Sequence, residues 1–251
     1  MIDPLFDFTG KVVLVTGGSR GLGQRMVMAF AERGADVIVA SRKLAACEAV
    51  AADVRALGRR ALAVSAHVGK WAECDALVQA AYAAFGRVDV LVNNAGMSPP
   101  CASHEMSEAL FDSVLNLNFK GPFRLASQIG KRMADGADQH GGGVILNISS
   151  TGALMALPGV VPYGAAKAAL NAMSVSLSRE YAPMVRVNTI SAGPFLTDIA
   201  EAWEPARRER QPVALGRPGH PDEIVTAALM LASPASSYTT GALLRVDGGQ
   251  R

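Results

Sequence analysis

Thr16-Gly-Gly-Ser-Arg-Gly-Leu-Gly23 (TGGSRGLG) is the most informative stretch of this 251-residue chain. It is preceded by the β-branched run Lys11–Val15 (KVVLV). It is followed by Gln24–Arg33 (QRMVMAFAER), whose apolar residues recur at helical spacing and stop at Gly34. A strand, a glycine-rich turn and a helix in that order form a cradle for a phosphate. Gly17 lets the chain turn tightly, Gly21 lets backbone N–H groups approach a pyrophosphate, and Gly23 lets the helix pack close to the strand. The positive end of the helix dipole then faces the anion. Ser19, Arg20 and Leu22 complete the candidate contacts of the loop. The spacing is Gly-xxx-Gly-x-Gly rather than the commoner Gly-x-Gly-xx-Gly, so by itself the loop also fits a plain tight corner.

Outward from the loop, short apolar runs alternate with longer Ala-rich stretches. Strands are predicted at Asp36–Ala40, Ala61–Ala66, Val88–Val92, Val144–Ile148, Val185–Ile190 and Leu243–Val246, besides Lys11–Val15. Helices are predicted up to Leu57, over Trp71–Phe85, over one long span from Glu105 to about Met133, and over Tyr163–Tyr181. Pro221 opens a last one, at a position proline tolerates well. Seven strands alternating with six helices imply right-handed crossovers and a parallel sheet. The expectation is an α/β chain: a Rossmann-type, doubly wound, seven-stranded parallel sheet with helices on both faces. No linker, repeat or low-complexity tract divides residues 1–251, so one domain is expected.

Composition narrows the function classes. Half of the residues are apolar and 18% are charged, which excludes disorder as a description of the whole. The net charge is +2, and the densest cation group is Arg207, Arg208 and Arg210, so no stripe suited to nucleic acid is present. Cys47, Cys74 and Cys101 are odd in number and far apart, against a disulfide framework or a cysteine zinc site. The four histidines show no ligand spacing, and no metal is expected. The N-terminal MIDPLFDFTGK lacks the pattern of a signal peptide. No run approaches the roughly 18–20 apolar residues of a membrane span. A cytoplasmic location without membrane contact is therefore expected.

The end of the second strand tests which nucleotide the loop holds. An NAD site carries an acidic residue about 20 residues downstream, bonded to the ribose 2′-OH. Here the strand ends in Ser41-Arg42-Lys43. A carboxylate repels a 2′-phosphate, whereas a guanidinium grips one through two parallel hydrogen bonds. Arg42, with Ser41 beside it and Arg20 in the loop, favours NADP(H); NAD(H) is the alternative.

Tyr163-Gly-Ala-Ala-Lys167 sets a phenol and an ammonium one turn apart on a helix. An adjacent cation favours the phenolate, lowering a tyrosine pKa from about 10. With Thr16–Gly23, Asn93-Asn94-Ala95-Gly96, Asn118 and Ser150 in this order and spacing, the chain resembles the short-chain dehydrogenase/reductase family. The resemblance runs from Phe8 to Gly249.

It implies an oxidoreductase that interconverts a carbonyl and a secondary alcohol by hydride transfer. Tyr163 would be the general acid or base, and Lys167 would lower its pKa and bond the nicotinamide ribose. Ser150, with Ser149 as the weaker candidate, would hold the substrate oxygen. Asn118, with Asn116 as competitor, would hold a water leading from Lys167 to solvent. Asn94, Ala95, Gly96, Val68, Gly193 and Thr197 fall at cofactor positions of the family.

Two places depart from the family pattern. An aspartate near the adenine amino group is usual after the third strand, and here Ala66-His67-Val68 stands there. A Pro-Gly pair is usual after the sixth strand, and here the chain reads Ala192-Gly193-Pro194.

The segments Gly152–Gly159 and Phe195–Trp203 are apolar and suit a ketone, aldehyde, secondary alcohol or 3-oxoacyl thioester with an apolar body. Leu154, Met155 and Trp203 fit equally well as packing beneath a loop. The irregular segment Pro194–Arg210 has the length of a lid. Competing readings are an NAD-dependent alcohol, sugar or steroid-type dehydrogenase, and a silent nucleotide-binding regulator. The resemblance further implies a homo-oligomer, a tetramer or dimer.

Overall fold

The computed structural model describes residues 3–198, 200 and 204–250. Seven strands form one parallel sheet: β1 (Val12–Thr16), β2 (Asp36–Ser41), β3 (Ala61–Ser65), β4 (Val90–Asn93), β5 (Gly143–Ser150), β6 (Val185–Ala192) and β7 (Leu243–Val246). Their order is β3-β2-β1-β4-β5-β6-β7. The order reverses between β1 and β4, where a doubly wound sheet opens a crevice at the carboxyl ends of its strands.

The alternation of side chains along each strand explains the apolar runs. Val13 and Val15 face one layer, formed by α1 (Gly21–Glu32), α2 (Leu44–Ala56) and α9 (Val225–Ala232). Val12 and Leu14 face the other, formed by α3 (Trp71–Phe85), α5 (Gly121–Asp135) and α7 (Val161–Glu180). Phe8 and Phe30 close the first layer edge to face, ring centroids 5.0 Å apart. Among the described residues, no helix is long and apolar enough to cross a membrane.

The expected sheet is present, with strand ends shifted by at most two residues. The expected single helix from Glu105 to Met133 is not. Instead a 3-10 turn (Ser103–Glu105) is followed by α4 (Glu108–Leu115), a π-helical turn (Asn116–Lys120) and α5. The cause lies in Asn118, whose side-chain amide takes the Val114 carbonyl at 3.0 Å, the acceptor its own backbone N–H would use in an α-helix. The short helix α6 (Ala137–His140) also escapes the sequence pattern, while the irregular segment after β6 holds the short helix α8 (Pro205–Glu209), as expected from its sequence. Pro221 begins a 3-10 turn (Pro221–Ile224) that runs into α9, rather than opening an α-helix directly.

One polar chain crosses the second layer. Asn93 Nδ2 donates to Asn147 Oδ1 at 2.9 Å, and Asn147 Nδ2 donates to Ser174 Oγ at 2.8 Å. Asn93 and Asn147 are direct partners in the β4–β5 register. Across the sheet, Arg186 donates to the carbonyls of Leu231, Ser233 and Thr239, holding the end of α9 to β6.

Candidate active site

The site gathers at the carboxyl ends of β1, β4, β5 and β6. Gly17 and Gly21 take φ of +64° and +53°, a region closed to most side chains. The first turn of α1 has no side-chain cap, so its N–H groups are free to meet an anion. Gly23 is needed for a different reason than expected. A Cβ there would lie 2.2 Å from the Gly17 carbonyl oxygen, so at Gly23 the start of the helix packs on the loop itself. Leu22 is partly buried against the first layer. These residues fit a dinucleotide pyrophosphate.

Thr16 braces the loop, a role its sequence position announced only as the first letter of the motif. Its Oγ1 accepts from the N–H groups of Asn94 at 3.0 Å and Ala95 at 3.1 Å. The Asn94 amide donates to the Thr16 carbonyl at 2.9 Å and the Gly17 carbonyl at 3.3 Å. Asn94 therefore holds the loop's shape, with its donors turned away from the crevice.

The expected nucleotide contacts divide in two. Ser19 and Ser41 hydroxyls bond each other at 2.8 Å, joining the loop to the end of β2. Arg42 is exposed beside them. Arg20 does not stand free: its guanidinium pairs with Asp198 at 3.0 Å, both side chains about half exposed. Asp198 carried no sequence signal. Next to it, the Thr197 methyl lies 3.3 Å from where a Gly21 Cβ would be, so the segment after β6 rests on the glycine loop.

Ser150 ends β5, and its Oγ accepts from the Gly152 N–H at 3.1 Å. The Tyr163 phenol stands in the first turn of α7; burial pushes it above its ordinary pKa, and the Ser150 hydroxyl pulls it back down. Lys167, 3% exposed, donates to the Ile148 carbonyl at 2.8 Å and lies 5.9 Å from the Tyr163 ring centre. Burial drives its ammonium down to about 8. Burial thus pushes both groups toward their neutral forms, and the opposing pull on the phenol comes from Ser150. Ser149, the competing serine, is turned into the second layer and donates to the Lys167 carbonyl at 3.3 Å.

Asn118 is completely buried, its amide donating to the carbonyls of Met97 at 2.9 Å and Val114 at 3.0 Å. Asn116 instead starts the π turn. A Cβ on Gly96 would lie 2.9 Å from Asn118 Oδ1 and 3.6 Å from Lys167 Nζ, so Gly96 keeps these two polar groups facing one gap.

At the two departures, His67 stands at the end of β3 with Nδ1 accepting from the Gly69 N–H at 3.2 Å. Val68 is buried, its carbonyl accepting from Cys74 Sγ. Gly193 keeps its necessity despite the changed neighbour, since a Cβ would lie 2.5 Å from Asp247 Cα.

The apolar segments line the site only in part. Leu154 is exposed, but Leu157 packs on Gly152, and Phe195 is buried against Gly219. Trp203 lies outside the described residues.

Residues 11–208 match the family model described as short chain dehydrogenase. The chain is 37% identical to a D-threitol dehydrogenase of Mycolicibacterium smegmatis, over 97% of this chain and 95% of that protein. It is 36% identical to a 3-oxoacyl-[acyl-carrier-protein] reductase of Synechocystis, over 96% and 97%. Its fold superposes on a 7α-hydroxysteroid dehydrogenase solved with NADH and a 7-oxo bile acid, with a TM-score of 0.92, 32% identity, and 99% and 98% of the chains covered. With the glycine cradle, the uncapped helix end and the Ser150–Tyr163–Lys167 group in one crevice, the chain belongs to the short-chain dehydrogenase/reductase family of NAD(P)-dependent oxidoreductases.

Proposed function

We propose that this chain, acting as one domain, is an NADP(H)-dependent enzyme that interconverts a carbonyl and a secondary alcohol, with Tyr163 as general acid and base. The observation that carries the reading is the gathering of Tyr163 and the buried Lys167, whose Nζ lies 5.9 Å from the Tyr163 ring centre, at the Ser150 end of β5. When bound, the nicotinamide supplies or takes the hydride.

The chain's own residues do the rest. Ser150, oriented by the Gly152 N–H, meets the substrate oxygen beside the phenol. Tyr163 is held as the neutral phenol by burial, the form needed to give a proton to a carbonyl oxygen. Lys167, fixed by Ile148, has further N–H groups for the nicotinamide ribose. Asn118 and Gly96 border the gap through which a water would relay a proton from Lys167.

The NADP(H) preference rests on Arg42, exposed at the end of β2 where an NAD site carries an acid. One observation favours NAD(H) as the second reading: Arg20, the other expected phosphate ligand, is paired with Asp198. For the substrate, exposed Leu154 fits a ketone or 3-oxoacyl group with an apolar body. Free cysteines fit a reducing, cytoplasmic setting. Exposed Phe111, Phe123 and Val175 on α4, α5 and α7 fit a homo-oligomer, dimer or tetramer.

The test is a carbonyl and alcohol panel run with NADPH and NADH separately, on the wild type and on Tyr163→Phe. Turnover with NADPH is expected to fall by about 10²–10⁴-fold in the variant, while NADPH binding is retained. Equal turnover in both proteins removes Tyr163 from its role. Binding without turnover of any substrate supports a silent regulator.

A further inference from the structure

Ser150 and Tyr163 stand on different elements, the end of β5 and the start of α7. The two elements meet backbone to backbone at Gly152 and Gly164. Gly152 lies in the 3-10 turn (Thr151–Ala153) that follows β5, and Gly164 is the residue after Tyr163 in α7. A Cβ on Gly164 would fall 2.7 Å from the Gly152 carbonyl oxygen and 3.7 Å from its carbon. Neither glycine takes a positive φ. Gly164 is helical, where alanine does better than glycine. What glycine supplies at this position is the short approach alone.

Gly152 is tied by its other atoms too. Its N–H donates to Ser150 Oγ at 3.1 Å, so the hydroxyl follows Gly152. Its Cβ side is closed by Leu157, whose Cδ1 lies 2.5 Å from where a Cβ would be. Gly152 is thus gripped by α7 and by Leu157, and it holds Ser150 Oγ toward the helix that bears Tyr163. Lys167 is anchored separately, on the Ile148 carbonyl, with Nζ 5.9 Å from the Tyr163 ring centre.

We infer that Gly164 and Leu157 are positioning residues: through Gly152 they set the spacing of the Ser150 hydroxyl and the Tyr163 phenol, and with it the rate of proton transfer. The inference rests on the roles proposed above for Ser150 and Tyr163. A misplacement of about 1 Å between reacting groups costs up to about 10²-fold in rate. The Ser150 hydroxyl also draws the phenol pKa down against burial, so a wider spacing releases it upward.

Steady-state kinetics on the best secondary alcohol of the panel above, over a range of pH, test this. Gly164→Ala is expected to lower kcat about 10–100-fold. KM and the dissociation constants of NADPH and NADH are expected to stay unchanged. The rising limb of kcat, on which Tyr163 acts as base, is expected to move to higher pH. Leu157→Ala, at a half-buried loop position, is expected to lower kcat about threefold with the limb moved the same way. A methyl group that disturbed packing alone would lower the melting temperature and leave the limb in place. Wild-type kcat and an unmoved limb in folded Gly164→Ala overturn the inference. If that variant does not fold, Leu157→Ala decides by the same two readouts. Tyr163→Phe, measured beside them, separates the two levels. Lost turnover there, with both other variants like the wild type, overturns this inference alone. Full turnover in Tyr163→Phe, or a wild type without turnover on any substrate, overturns the proposed role of Tyr163 and this inference together.

Discussion

Lys167 shows what the site demands of single residues. An ammonium with 3% exposure and one carbonyl partner has lost most of its hydration. Its pKa of about 8 in the folded chain lies below the 10.5 of an exposed lysine. Between those two values the unfolded chain binds more protons than the folded one, so stability rises with pH across that window. Melting curves from pH 8 to 10 are expected to show this rise in the wild type and a weaker one in Lys167→Met. At pH 7 the variant is expected to be more stable by about 1–2 kcal/mol, the relief of charge burial less the lost hydrogen bond, while losing turnover. The charges at the nucleotide end carry a second prediction. Arg42→Asp is expected to weaken NADPH binding by about tenfold or more and to strengthen NADH binding. Asp198→Asn frees Arg20 from a half-exposed pair worth about 0–1 kcal/mol, so NADPH is expected to bind up to about fivefold tighter with NADH unchanged. Fluorescence titration with both dinucleotides measures each. The residue types at these positions were legible in the sequence; their partners were not. Arg20 and Asp198 are 178 positions apart, and nothing local connects them.

Elements show where a periodic pattern misleads. The stretch from Glu105 to about Met133 holds no glycine-proline break strong enough to divide it, so one helix was the natural reading. The π turn that breaks it arises from a contact the period does not contain, the Asn118 amide bridging Val114 in its own helix and Met97 in the loop after β4. π turns are rare and concentrate at functional sites. Just after this turn, Gly121 has no room to change: a Cβ would lie 1.8 Å from the Val68 carbonyl oxygen. Gly121→Ala is expected to cost about 3 kcal/mol or more and lower the melting temperature by roughly 6–12 °C, read by calorimetry. It is also expected to disturb nucleotide binding, because Val68 follows His67. The parallel strands, in contrast, were plain from their β-branched runs, since both faces of each central strand are buried.

Across the whole molecule, the outer face of α7 keeps apolar side chains in contact with water. Val175 is 43% exposed on a helix whose other side packs on the sheet. Light scattering is expected to give a mass two or four times the 26.1 kDa of one chain, and Val175→Asp is expected to shift the protein toward monomer. The Asn93–Asn147 pair matters at this scale too. A parallel sheet of valines and isoleucines has almost no preference between one alignment and another displaced by two residues, because the same kinds of side chain face the same layers. The two amides meet only when Asn93 is opposite Asn147. A displaced β4 would leave both amides buried without each other, at a cost of about 1–3 kcal/mol for each group. The pair is thus a proofreading contact for folding: it rejects the slipped sheet that would carry the glycine loop and the Ser150 end of β5 out of step.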